Sequence, residues 1–387
     1  MRSRVVYLDN NATTRVSPEV IQAMEPFLRD MWGNPSSIHT FGGQVRRHIE
    51  RAREQVAELI GADPEEIIFT SCGTESNNTA LKGIALASSP GSRIITTAVE
   101  HPSVLNVCRY LGTTGFQVTE LPVDGQGRID LDQLRESIDE QTVLVSVMWA
   151  NNETGVIFPV REIAEVVKEK GVLFHTDAVQ AVGKIPVDMR DVPVDLLSLS
   201  GHKLHAPKGI GVLYVRKGVK LVPLLHGGHQ EKNRRGGTEN VPYIVGLGRA
   251  CELAREHMEE EQTRIAALRD RLEKGILESC PGARVNGDRA HRLPNTLNVS
   301  FEYVEGESIL LLLDQLGICA STGSACSSGS LEPSHVIQAM GVPFTAAHGS
   351  VRFSLSRDTT EEDIDYVLEH LPGIIRRLRR LSPFVKE

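Results

Sequence analysis

The chain has 387 residues, 40% of them hydrophobic and 24% charged, and a formal net charge of −8 at pH 7. This length is enough for two domains around a large core, and the composition is typical of a globular protein. The negative charge argues against nucleic acid as a main partner. The longest apolar run, residues 309–313, is too short to span a membrane, and the first ten residues lack the apolar segment of a secretory signal. We therefore expect a cytoplasmic protein without membrane contact.

Six cysteines are spread along the chain without a CxxC pair or the Cys/His spacing of a metal site. Such cysteines are typical of reduced thiols in the cytoplasm, most of them in the core. We predict no resident metal. The six are Cys72, Cys108, Cys251, Cys280, Cys319 and Cys326.

Two helices are predicted near the start of the chain. Ser17-Pro18-Glu19 has the pattern of a helix start, with a serine cap and proline at the first position. A second, amphipathic helix is predicted over residues 44–60, and Gly61 follows its end.

From about residue 60 to 215, short β-rich runs alternate with helical patterns, which predicts a mostly parallel sheet covered by helices on both faces. Ligands in such open sheets bind at the carboxyl ends of the strands. The seven predicted strands are 66–70, 93–97, 117–121, 142–148, 172–176, 194–199 and 211–216.

The remaining third of the chain predicts a second, smaller α+β domain. A long, broken helical pattern over 241–279 leads to it, and the N-terminal arm is expected to join it. The predicted division is residues 16–258 for the large domain, and 1–15 with 259–387 for the small one. The predicted elements beyond residue 280 are strand 295–301, helix 306–316, strand 350–355 and a helix from 360 to about 381.

The most informative feature is Lys203, which follows the predicted strand 194–199 in the run Ser200-Gly201-His202-Lys203. A lysine at the mouth of a strand is placed to form a Schiff base with an aldehyde. Asp177 and Gln180 follow the strand before it. Pyridoxal phosphate needs a lysine for its aldehyde and a carboxylate to keep its pyridine nitrogen protonated. The combination therefore predicts a pyridoxal phosphate site.

Each of these residues also has an ordinary explanation, since a lone lysine after a strand is usually a solvated loop residue and an aspartate there is often a helix cap. Two further features favour the cofactor. Gly73 and Thr74 open a helix directly after a strand, where free N–H groups suit a phosphate. His101 directly follows another strand, where an imidazole can stack on a flat ring and exchange protons near neutral pH.

Cys326 lies on a stretch rich in glycine and serine, residues 320–330, where a thiol has little packing role. Taken alone, it could be a chance surface cysteine. Beside a pyridoxal phosphate site, it indicates transfer of a group from the substrate to sulfur. We expect this loop to be poorly ordered.

The whole chain resembles the group I cysteine desulfurases of the NifS/IscS type, in the class V aminotransferase branch of fold-type I pyridoxal phosphate enzymes, and the NifS branch most of all. The resemblance implies an α/β fold-type I transferase with a large, mostly parallel seven-stranded sheet and a smaller α+β domain. It extends over nearly the full length. The segments that carry it are 8–14, 33–37, 70–75, 100–102, 151–155, 175–180, 200–203, 236–240, the Cys326 loop, 331–335 and 351–354.

The resemblance also implies an activity. Lys203 would hold the cofactor and move the substrate's α-proton, with His101 stacked on the ring. Cys326 would take sulfur from L-cysteine as a persulfide, releasing L-alanine, for iron–sulfur cluster assembly and in the NifS branch for nitrogenase. Arg352 and Asn152 would bind the substrate. The remaining implied cofactor contacts are Gly73, Thr74, Asn152, Asp177, Gln180, Ser200 and His202, with Thr238 reaching the other subunit's phosphate.

The implied partners are a second copy of the chain and an iron–sulfur scaffold protein of the IscU/NifU type. A cluster shared between Cys326 and that scaffold would be transient. Three alternatives stay open. They are an aminotransferase, which needs no mobile thiol; a selenocysteine lyase, which would use the same residues; and a non-catalytic scaffold, which retention of Lys203, Asp177, His101, Arg352 and Cys326 disfavours.

Overall fold

A seven-stranded sheet forms the centre of the larger part of the computed structural model, which describes residues 4–322 and 333–382. Its strand order is β2-β8-β7-β6-β5-β3-β4, and only β8 runs antiparallel to its neighbours. The mostly parallel seven-stranded sheet predicted from the sequence is confirmed. The strands are β2 (Ile67–Thr70), β3 (Arg93–Thr97), β4 (Gln117–Leu121), β5 (Thr142–Ser146), β6 (Leu173–Asp177), β7 (Leu196–Ser200) and β8 (Gly211–Val215).

Helices cover both faces of this sheet, and buried Val, Ile and Leu side chains fill the space on each side. Gly61 ends the third helix in the left-handed conformation, φ 62°, as its position predicted. The helices are α1 (Pro18–Arg29), α2 (Thr40–Gly43), α3 (Arg46–Ile60), α4 (Gly73–Leu86), α5 (Pro102–Thr113), α6 (Leu131–Ser137), α7 (Val160–Glu169) and α8 (Val241–Glu256).

A second hydrophobic core lies around a three-stranded antiparallel sheet of order β12-β10-β9. The N-terminal strand β1 pairs in parallel with β11, and Val6 of this strand and the following Leu8 lie in this core. The elements are β1 (Val6–Tyr7), β9 (Ala283–Val285), β10 (Thr296–Phe301), β11 (Ile318–Cys319), β12 (Ser350–Ser354), α9 (Met258–Glu260), α10 (Ala266–Ser279), α11 (Gly306–Asp314), α12 (His335–Ala339), α13 (Phe344–Ala347) and α14 (Glu361–Leu381).

The long helical pattern over 241–279 is broken, as expected. It kinks at His257 and continues through a π-helical turn, Glu261–Ile265, before α10 begins. Domain boundaries at residues 15/16 and 258/259 stay predictions. In the described ranges, no helix is long and apolar enough to cross a lipid bilayer.

Candidate active site

A cavity of about 540 Å³ opens where the carboxyl ends of β6 and β7 face the first turns of α4 and α5 and the middle of β12. It collects most of the residues that the sequence singled out. The predicted site residues among its lining are Gly73, Thr74, His101, Asn152, Asp177, Gln180, Ser200, His202, Lys203 and Arg352.

Two predicted site residues are not in this lining. Thr238 is exposed and does not line the cavity of its own chain. Its contact with the other subunit's cofactor stays a prediction. Cys326 and residues 323–330 of its loop lie outside the described residues, so the expected order of that loop stays a prediction too.

The Asp177 carboxylate ends β6 and is buried, with 6% of the residue exposed. Its Oδ2 accepts a hydrogen bond from Asn77 Nδ2 at 2.7 Å, and its Oδ1 accepts one from the Val179 N–H at 3.0 Å. Asn77 Nδ2 also donates to Ser103 Oγ at 2.8 Å. These bonds fix the position of the carboxylate at the end of β6.

His101 caps the N-terminus of α5, where the following Pro102 occupies the first helical position. Its Nδ1 accepts a hydrogen bond from the Ser103 N–H at 3.1 Å. Burial lowers the pKa of His101, and the nearby Lys203 adds to this against the attraction of Asp177. The ring is therefore held neutral, with its proton on Nε2.

Lys203 ends a short 3₁₀ turn that begins directly after β7. Its Nζ donates to the main-chain oxygens of Asn11 at 2.5 Å and Ala12 at 2.6 Å. Both acceptors belong to the N-terminal arm. The arm therefore positions the amine within the cavity.

The end of the cavity formed by the start of α4, Ser200 and His202 is suited to an anion. Among the described residues, no side chain caps the N-terminus of α4. A Cβ on Gly73 would lie 2.9 Å from a Val179 methyl carbon, so a larger residue there would force Val179 to shift. The buried Ser200 Oγ has no hydrogen-bond partner among the described residues. Burial lowers the pKa of His202 to about 4, so this ring offers a neutral N–H donor.

Arg352 lies on β12, with 2% of the residue exposed. One terminal nitrogen donates to the Asp9 carboxylate at 2.8 Å and the other to the main-chain oxygen of Asn152 at 2.9 Å. The planar fork is thus held at the cavity wall by the N-terminal arm and the 151–155 segment.

Several cavity residues were not assigned a role from the sequence, and only some of them lie within its motifs. Glu153 is buried and accepts a hydrogen bond from Ser334 Oγ, and burial raises its pKa. His335, which follows Ser334, donates from Nε2 to the main-chain oxygen of Glu100 at 2.9 Å. No strand-end position or spacing marks these two residues, because their placement depends on contacts between distant segments. The unassigned residues include Asn11, Asn77, Ser103, Met148, Glu153 and His335.

The described cysteines differ in access to the cavity. Cys72 lines it, half-buried at the start of α4. Cys108, Cys251 and Cys280 are buried, and burial raises the pKa of each thiol, to about 12 for Cys108. Cys72 is thus the one thiol among the described residues that lies on the cavity.

The chain is similar to known proteins over nearly its full length. The model of the family "Aminotransferase class-V" matches residues 6–367. A cysteine desulfurase of Trichormus azollae is 60% identical over 380 residues, covering 98% of this chain and 95% of the relative. The cysteine desulfurase NifS of Azotobacter vinelandii is 57% identical over 380 residues, covering 98% and 94%.

A solved NifS-like protein superimposes with a TM-score of 0.92 at 44% identity, covering 97% of this chain and 100% of that structure. Neighbours of this kind are fold-type I enzymes, in agreement with the predicted fold class. The chain belongs to the class V aminotransferase family and, within it, to the cysteine desulfurases of the NifS type.

Proposed function

We propose that this cysteine desulfurase uses pyridoxal phosphate attached to Lys203 and delivers the sulfur of L-cysteine to Cys326. The observation that carries the proposal is the sharing of one cavity by the Lys203 amine, the fixed Asp177 carboxylate and the uncapped N-terminus of α4. A lysine, an acid and an anion site are what this cofactor requires.

The residues fit the cofactor at each end. Its phosphate would be held by the α4 N-terminus at Gly73 and Thr74, by the unpartnered Ser200 hydroxyl and by His202. Its ring nitrogen would pair with Asp177, and Gln180 would hydrogen-bond its phenolic oxygen. When bound, pyridoxal phosphate draws electrons away from the substrate's α-carbon.

The chain's own groups then divide the work. Arg352 binds the substrate carboxylate next to Asn152, and the neutral His101, with its proton on Nε2, would lie against the cofactor ring. Lys203 takes the α-proton of the substrate and returns a proton to the product. Overall, the C–S bond of cysteine breaks and an S–S bond to Cys326 forms. No hydrogen is gained or lost overall, because L-cysteine and one enzyme thiol give L-alanine and one enzyme persulfide.

The active unit would be a homodimer in the cytoplasm, as the family resemblance implies, with the exposed Thr238 of each chain reaching the phosphate at the other chain's site. The persulfide would pass to an iron–sulfur scaffold protein. For this transfer we rely on the family resemblance and on the position of Cys326 within a segment rich in glycine and serine.

The chain provides a matched control for the thiol. Cys326→Ala should abolish alanine and sulfide formation from L-cysteine with a reductant, whereas Cys72→Ala, at the cavity wall, should retain most activity. Equal yields of alanine and sulfide in the parent would establish the stoichiometry. Full activity in Cys326→Ala, or loss only in Cys72→Ala, would contradict the assignment.

A further inference from the structure

A second lysine lies behind the cavity. Lys184 follows the turn after β6, and 5% of the residue is exposed. Its Nζ donates to Gln180 Oε1 at 2.7 Å and to Asn11 Oδ1 at 3.4 Å. A buried lysine is expensive to keep unless it has a specific partner, so this one calls for an explanation.

The first consequence concerns Gln180. An ammonium group has only donors, so the amide must turn its oxygen towards Lys184. Its Nε2 then donates one hydrogen to the Asn11 main-chain oxygen at 3.0 Å. The second hydrogen remains for a ligand, because Gln180 also lines the cavity. Lys184 and the Asn11 carbonyl together fix which end of the amide faces the site.

The second consequence concerns Lys203. Its Nζ donates to the same Asn11 main-chain oxygen at 2.5 Å, so both lysines are held by one residue of the arm. The charge of Lys203 contributes to a lowered pKa of Lys184, so the two amines are within electrostatic reach of each other.

A buried carboxyl group on the other side supports the charge of Lys184. Glu261 begins the π-helical turn, is 8% exposed, and its Oε2 has no partner among the described residues. Between the two lies a cavity of about 20 Å³, room for one water molecule, which Lys203 also lines.

Burial lowers the pKa of Lys184 to about 7 and raises that of Glu261 to about 7, and each shift is opposed by attraction to the other group. Lys184 is therefore partly charged near neutral pH. The charged groups that act on the pair are Lys203, Arg352, Arg357, Glu260 and Arg264, and His205 and His257 also line the small cavity.

We infer that Lys184 is a positioning residue of the active site, which orients the Gln180 amide and places a second positive charge behind Lys203. The inference rests on the proposed attachment of the cofactor to Lys203. Lys184, which does not line the main cavity, would thereby tune the protonation of the Lys203 amine, which does.

The test compares three substitutions in the holoenzyme. Lys184→Arg keeps the charge and the donors, Lys184→Gln keeps a donor without charge, and Lys184→Met keeps neither. The readout is the midpoint pH of the absorption change of the bound cofactor, which reports protonation at its bond to Lys203. Borohydride reduction and peptide mapping of each variant confirm where the cofactor is attached.

Lys184→Met and Lys184→Gln should both raise this midpoint by roughly half a pH unit, because a partly charged neighbour that repels the proton is lost. Lys184→Arg is fully charged and should leave the midpoint at or below that of the parent. A merely structural role would lower the melting temperature without moving the midpoint. If Lys184→Met does not fold, Lys184→Gln carries the test.

Parent-like midpoints in both neutral variants, with the adduct on Lys203, would overturn the role of Lys184 alone. An adduct on another lysine would overturn the proposed cofactor attachment and this inference with it. The two failures are therefore distinguishable.

Discussion

The Arg53–Glu231 pair and the cavity around Asp177 are both buried and polar, but their hydrogen bonding differs. Both Glu231 oxygens accept from the Arg53 guanidinium, at 2.8 and 2.9 Å, and one also accepts from the Phe69 N–H. Around the cavity, Ser200 Oγ, Asn77 Oδ1 and Glu100 Oε2 lack partners among the described residues.

The difference separates a structural ionic pair from a binding site. The Arg53–Glu231 pair holds a strained turn in which residues 231, 232 and 233 all have positive φ, between 44° and 65°. Its bonds are complete within the chain. The cavity leaves donors and acceptors unbonded, as expected where a ligand supplies the missing partners.

The largest effect should come from breaking the complete pair. Arg53→Met leaves Glu231 buried without its partner and should cost about 3–5 kcal/mol of unfolding free energy, measured by urea denaturation. Adding Glu231→Gln should recover a large part of this loss. As the control, Arg51→Met removes an exposed ion-pairing arginine from the same helix and should leave the urea midpoint nearly unchanged. If Arg53→Met loses no more unfolding free energy than this control, the Arg53–Glu231 pair does not have the proposed structural role.

At Asp177 we expect the opposite result, a large loss of activity with little loss of stability. Asp177→Asn keeps the shape and an acceptor for the Val179 N–H, so the melting temperature should change little. Turnover of L-cysteine should fall by about 100-fold or more, because the negative charge beside the ring nitrogen is lost. Near-parent turnover would show that this carboxylate does not face the cofactor.

Arg352→Lys tests the carboxylate clamp. A lysine cannot reproduce the fork that reaches Asp9, Asn152 and a substrate carboxylate, so the KM for L-cysteine should rise about tenfold while the cofactor stays bound. Arg216→Lys is the matched control, since Arg216 donates to main-chain oxygens away from the cavity. An unchanged KM in Arg352→Lys would contradict the clamp.

The last prediction concerns the pH dependence of stability and depends on Glu100. Burial, with a contribution from the charge of Asp177, raises its pKa to about 8. Because the folded-state pKa lies above the unfolded value, the stability from burying the neutral acid is complete below about pH 4.5 and is lost as pH rises through 8. Glu100→Gln should remove this decline, a difference of about 3 kcal/mol between pH 5.5 and 8.5 by urea denaturation. If the stability of parent and variant changes with pH in the same way, the role of Glu100 is wrong.

Much of the fold and site could be predicted because the signals are local. The positions of Asp177, Lys203 and His101 follow from strand ends, and the parallel sheet brings those ends together. The bonds that hold them could not be predicted in this way. Asn11 and Lys184 act through contacts between the arm, the β6 turn and the second core, which no periodicity encodes.

Short elements were also missed for a physical reason. Strands β1 and β11 have two residues each, too few for an alternating pattern, and are stabilised by pairing with each other across more than 300 residues of chain. The turn over residues 231–233 adopts its conformation because Arg53 binds it from another helix, which the local sequence does not reveal.

The central claim is that the cavity at the ends of β6 and β7 holds pyridoxal phosphate on Lys203. Borohydride reduction of the purified protein, followed by digestion and mass spectrometry, tests it most directly. We expect the reduced cofactor on the peptide containing Lys203. An adduct on Lys184 or Lys208, or no adduct in an active enzyme, would contradict the account.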